Sequence, residues 1–131
     1  MSAKLFSFAA ALTLVLALVC FPASVSKADD VKAQQIHAQN NTDRAIWVAA
    51  MYKPVGGSSY IADGFWKVNP GQRLFILYNG NARYMYFYAR DGEGRVWSGN
   101  EARATVRGET LNMFKADTRD DYNPFTQNFD P

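Results

Sequence analysis

The residues able to do covalent chemistry are few. Beyond the first 28 positions the chain holds one histidine, His37, three serines (Ser58, Ser59, Ser98) and no cysteine. Nucleophilic catalysis needs a hydroxyl or thiol beside a base, and no Gly-x-Ser-x-Gly elbow or similar arrangement is present. One histidine without cysteines does not make a structural zinc cage. The spacing of Asp117, Asp120 and Asp121, or of Asp91 and Glu93, fails that of a calcium loop, which also needs a glycine and a terminal glutamate at set positions. Asp63, Asp91, Glu93 and Glu101 are the carboxylates from which a glycosidase pair would have to come, and no spacing pairs them. The expectation is no catalytic residue, no metal and no cofactor, with a small hydrolase ranked last among the readings.

Aromatic residues are the more informative chemistry. Phe, Tyr and Trp make up 15% of the chain, and they concentrate around Ala82–Gly99, ARYMYFYARDGEGRVWSG. From Arg83 to Arg90 the pattern alternates with a period of two: Met85, Phe87 and Ala89 on one strand face, Tyr84, Tyr86 and Tyr88 on the other. The apolar face belongs to a core. The tyrosine face, joined by Trp66 or Trp97 from neighbouring strands and flanked by Arg83, is a candidate platform for a carbohydrate or a protein partner, since tyrosine combines an apolar ring with a polar tip. The plainer arrangement is a second hydrophobic layer, with Trp47, Trp66 and Trp97 packed between sheets. Arg73, Arg83, Arg90 and Arg95 are placed to stack on these rings.

Strand signals recur along the chain. Gln34–Asn40 sets Ile36 and Ala38 against His37 and Gln39, and Asn40-Asn41-Thr42-Asp43 is a turn cluster that also matches the N-glycosylation pattern. Arg44–Tyr52 is apolar on both sides, which predicts burial on both faces. Tyr60–Val68 predicts a strand bulged or bent at Gly64. Asn69-Pro70-Gly71-Gln72 carries the type II turn signature, suited to a wide loop or an arch to a second sheet. Arg73–Tyr78 predicts a strand with Leu74 and Ile76 opposed to Phe75 and Leu77. Asn79-Gly80 then predicts a tight hairpin, so 73–78, 83–90 and 95–98 form an antiparallel meander. Glu101–Arg107 reads as an edge strand and Leu111–Lys115 as a last strand.

The start of the chain reads differently. Lys4, the apolar run Leu5–Phe21 and Ser26-Lys27-Ala28 make a secretory signal peptide cleaved after Ala28. Val19 before Cys20 disfavours a lipoprotein signal, and the mature form is expected to have no membrane span. Lys4 and Lys27 leave with this leader, so 12 of the 14 basic residues remain against 12 acidic ones. A neutral chain without a basic run excludes nucleic acid as partner. Loss of Cys20 leaves packing alone to hold an exported domain together. The expected organisation is a signal peptide over 1–28, an all-β, small antiparallel β-sandwich of about seven strands over 29–116, and a polar tail over 117–131 anchored at most by Phe125 and Phe129.

Asn41-Thr42 ahead of Ile46-Trp47-Val48-Ala49, then Gly64-Phe65-Trp66, Pro70-Gly71, Arg83–Ala89 and Trp97-Ser98-Gly99 together resemble the bacterial family catalogued as domain of unknown function 1036. That resemblance implies a small exported β domain, periplasmic or extracellular, and transfers no activity. The functional expectation is a non-enzymatic binding or interaction module, with a structural envelope-associated protein as the alternative.

Overall fold

A computed structural model of the protein describes residues 33–80, 82–119 and 123–131. The signal peptide expected over residues 1–28 lies outside the described residues, as does its expected cleavage site. Those described are all-β, with nine strands: β1 (Gln34–Asn40), β2 (Ile46–Tyr52), β3 (Ile61–Val68), β4 (Arg73–Asn79), β5 (Tyr84–Asp91), β6 (Val96–Trp97), β7 (Ala102–Val106), β8 (Glu109–Asp117) and β9 (Phe125–Phe129). The larger sheet runs β3-β2-β5-β8-β7, with β6 also pairing β5, and it curls into a half-barrel. The smaller sheet runs β9-β1-β4. Every pairing is antiparallel except β9 along β1. The β-sandwich read from strand spacing is therefore the architecture observed.

Alternation decides which residues fill the space between the sheets. Ile36 and Ala38 of β1, Ile76 and Leu77 of β4 and Phe129 of β9 meet Ile46, Val48 and Ala50 of β2 and Met85, Phe87 and Ala89 of β5. The apolar face of the Arg83–Arg90 strand is thus core, as its period predicts. A second cluster fills the inside of the curled sheet, where Ala49, Val106, Leu111 and Met113 pack with Met51, Phe65, Tyr86 and Tyr88. Burial of β2 on both faces follows, because Val48 and Ala49 serve different cores. At Gly64 the β2 register jumps, with Val48 opposite Trp66 and Ala50 opposite Asp63. This bulge needs glycine, since a Cβ there would stand 2.9 Å from the Ala49 Cβ.

The Asn69–Gln72 turn behaves as its residues predict. Gly71 has φ +76° and the Gln72 N–H donates to the Asn69 carbonyl at 2.9 Å, and the turn carries the chain from β3 to β4 in the other sheet. Two expectations are corrected. The pair β5–β6 forms, but β4 lies in the smaller sheet beside β1, so there is no 73–98 meander and Asn79-Gly80 is no hairpin tip. Asn79 is instead a buried tether, its Nδ2 donating to the Gln34 Oε1 at 2.9 Å and the Ala82 carbonyl at 2.7 Å. Gly80 is required for close approach, because a Cβ would sit 2.5 Å from the Pro54 carbonyl oxygen. The second correction concerns the tail. Phe125–Phe129 is a strand, and the sandwich does not end at residue 116. Phe129 is fully buried and its ring lies 6.1 to 6.3 Å from those of Phe87, Phe114 and Trp97.

Asn40, the asparagine of the glycosylation pattern, is fully buried. Its Nδ2 donates to the Arg44 and Val68 carbonyls at 2.7 and 2.9 Å, while its Oδ1 accepts from the Thr42 N–H and hydroxyl. No atom of this amide is presented for modification.

Two consequences are measurable by urea melts. Phe129→Ala and Phe87→Ala should each cost about 3–5 kcal/mol, since each leaves a cavity in the same aromatic cluster. Tyr86→Ala should also destabilise, because its ring closes the second cluster; an unchanged midpoint would place that ring outside any core.

Candidate functional site

The expected platform does not assemble as one surface. Trp66 and Trp97 pair with Val48 and Ala89, so they share the face that packs on the core between the sheets. Tyr86 and Tyr88 lie on the opposite face, against the second cluster. Trp47 also lies on that opposite face rather than between the sheets, with the Lys67 ammonium 5.9 Å from its ring. Tyr84 is exposed, yet the Lys115 ammonium and the Arg83 guanidinium stand 4.8 and 5.4 Å from its ring centroid. Arg83 is further engaged by Asp117, with Nε and Nη2 each donating to one carboxylate oxygen at 3.1 and 3.0 Å. Tyr60 beside it is occupied too: its hydroxyl donates to the Tyr84 carbonyl at 2.8 Å, and Lys53 approaches its ring to 5.3 Å.

A different aromatic pair is available on the outer face of the smaller sheet. Phe75 and Tyr78 are 42% and 51% exposed, with ring centroids 5.0 Å apart and ring planes at 63°. Residues three apart on a regular strand point to opposite faces. Here the register between β1 and β4 shifts: Ile36 faces Leu77, but His37 faces Phe75. Ile76 is the extra residue of this bulge, and Ile76 and Leu77 both point inward. Phe75 and Tyr78 are thereby brought to one face, and the expected grouping of Phe75 with Leu77 is corrected. A doubled apolar Ile76-Leu77 step inside an otherwise alternating strand is the signal that could have revealed it.

Neutral polar groups surround the pair. Gln35 lies opposite Tyr78, Gln39 opposite Arg73, and Thr126 of β9 opposite His37. The His37 ring meets Phe75 edge to face at 5.6 Å. Arg73 is exposed and donates from Nε to the Thr126 hydroxyl at 3.2 Å. The Tyr78 hydroxyl has no partner among the described residues.

The carboxylates weighed for other chemistry are held elsewhere. Asp91 is buried, and burial alone would push its carboxyl up. The N–H groups of Glu93 and Arg95, at 2.8 and 2.9 Å, and the Arg95 guanidinium outweigh this and hold it below the ordinary value. Glu93 pairs with Arg44 at 3.5 Å. Asp63 accepts the Tyr52 hydroxyl at 2.7 Å, and burial with that carboxylate pushes the tyrosine up to about 12. Asp63 lies opposite Ala50 while Asp91 lies opposite Ile46, toward the other end of β2, so the two do not converge. Among the described residues no three His, Cys, Asp or Glu side chains cluster as metal ligands.

Two open grooves lie among the described residues. One, of about 620 Å³, is bordered by Asp43, Arg44, Arg95 and Pro131, whose charges are already paired in part through Arg95 and Asp43 at 3.7 Å. The other, of about 480 Å³, runs between Val96-Trp97-Ser98 and Gln127-Asn128-Asp130. Its Trp97 Nε1 donates to the Asp130 carbonyl at 2.9 Å. Among the described residues no helix is long and apolar enough to cross a membrane. No protein-family model, curated protein or solved structure matches the chain.

His37 supplies a pH test of this face. Burial, then the Arg73 charge, lowers its pKa from the ordinary 6.5, and its Nδ1 is enclosed without a hydrogen-bond partner among the described residues. The fold therefore favours neutral imidazole, and the unfolded chain binds the proton first as pH falls. This stability contribution is complete above about pH 6.5 and is lost as pH falls toward the folded value. Melting temperature should drop between pH 7.5 and 5.5, and the drop should be smaller in His37→Gln. Identical profiles would contradict an enclosed, neutral His37.

Proposed function

We propose that the domain is an exported, non-enzymatic binding module that takes a carbohydrate chain on the outer face of its smaller sheet. One observation carries this reading: the β4 bulge puts Phe75 and Tyr78 side by side, exposed, with no cation over either ring among the described residues. Sugar rings stack through their C–H faces on aromatic rings, and their hydroxyls need neutral donors and acceptors at the margin. Gln35, Gln39, Thr126 and the Tyr78 hydroxyl supply those groups. Rings inclined at 63° suit a twisted soluble chain better than a flat crystalline surface. The tyrosines of β5 contribute less, because Tyr86 and Tyr88 are committed to packing and Tyr84 is covered by cations.

Export rests on the leader-like sequence of residues 1–28. Mass spectrometry of the exported protein should find a chain starting at Asp29; an intact Met1 on a membrane-bound form would overturn that part. Binding is tested by affinity electrophoresis in gels containing neutral and acidic polysaccharides. Tyr78→Ala and Phe75→Ala should abolish retardation while keeping the fold, whereas Tyr84→Ala should leave it intact. Retardation by no polysaccharide, or loss on Tyr84→Ala instead, would defeat this assignment.

A further inference from the structure

The same face has a charge without a counter-charge among the described residues. Its outward residues are Gln35, His37 and Gln39 on β1, Arg73, Phe75 and Tyr78 on β4, and Thr126 and Asn128 on β9. None is acidic. Arg73 makes no ion pair among the described residues, in contrast with Arg83, Arg90 and Arg95, which pair with Asp117, Glu109 and Asp91. Its Nε donates to the Thr126 hydroxyl at 3.2 Å, and its two Nη groups have no partner among the described residues. Two parallel N–H donors at the end of a guanidinium match the two oxygens of a carboxylate. His37, the neighbouring ring, can add no negative charge in either protonation state.

Resting on the carbohydrate reading above, we infer that the chain bound here is anionic, a uronate-type polysaccharide whose carboxylate is taken by the Nη groups of Arg73 while a neighbouring sugar stacks on Phe75 and Tyr78. Division of labour follows from the positions. The aromatic pair binds the sugar face whatever its charge, and Arg73 selects for the carboxylate. Because Arg73 is exposed, its share of the affinity falls with added salt, whereas the stacking share does not.

Polygalacturonate and alginate, each beside its carboxyl-reduced counterpart with the same backbone and no charge, separate these contributions. Isothermal titration should find the charged polymers bound about tenfold or more tighter than the reduced ones. Arg73→Gln should erase that difference without weakening binding to the reduced polymers, and thermal melts should confirm that the variant is folded. Tyr78→Ala should remove binding to all four. Equal affinity for charged and reduced polymers, or an Arg73→Gln variant that keeps the preference, would overturn the anionic assignment while leaving the carbohydrate reading in place. Binding to none of the four, nor to neutral glucans and xylans, would overturn both.

Discussion

The fold depends on one ring arriving late in the chain. Phe129, on the last strand, fills the space between the sheets and touches Phe87, Phe114 and Trp97, all from the larger sheet. Inclined aromatic pairs of this kind contribute roughly 0.5–1.5 kcal/mol each beyond the area they bury. The backbone around it is fastened from both sides. The Asn41 N–H donates to the Phe129 carbonyl at 2.9 Å, and the Trp97 indole donates to the next carbonyl, that of Asp130. Since β9 pairs in parallel with β1, the smaller sheet cannot complete itself from local sequence: Phe125 lies beside Ile36. Such pairing closes a very long loop and is intrinsically slow to form.

Around that ring, the ends of β1 are held by buried amides rather than by disulfides. Asn40 at one end reaches the carbonyls of Arg44 and Val68. Gln34 at the other accepts from Asn79 and donates to the Thr118 carbonyl at 3.2 Å. Thr118 in turn binds the Arg83 carbonyl through both its N–H and its hydroxyl, each at 2.8 Å. Each knot joins the smaller sheet to strand ends of the larger one. Buried polar groups of this kind are costly when unpaired, so their geometry fixes how the sheets sit over one another as well as adding stability.

What was legible in the sequence was local and periodic. Met85, Phe87 and Ala89 face the core because nothing interrupts the alternation of β5, and Pro70-Gly71 makes its turn because the turn type needs only those residues. The errors arise where a tertiary contact overrides a local preference. Asn79-Gly80 has hairpin chemistry, but the asparagine is more useful buried against Gln34 and the glycine against the Pro54 carbonyl. Phe125 and Phe129 sit in a polar stretch with no strand-like neighbours, and only the far-off edge of β1 makes them a strand. Trp66 and Trp97 cannot be assigned a face from their own segments, because the Gly64 bulge and the two-residue length of β6 break the period on which such an assignment rests.

The candidate site was hidden by the same kind of irregularity. Strict alternation through Arg73–Asn79 would send Phe75, Leu77 and Asn79 outward and bury Tyr78. That arrangement exposes an aliphatic side chain, strands the Tyr78 hydroxyl in the core and frees the Asn79 tether. One extra residue at Ile76 reverses all three, so the bulge is favoured by burial before any ligand is considered. It also interrupts the regular ladder of β4, an edge strand that would otherwise offer a straight template for pairing with another chain. A feature selected by packing and by edge protection thus leaves two rings together in solvent. Phe75 and Tyr78 take no part in the core between the sheets, so replacing them tests the proposed binding face without opening that core.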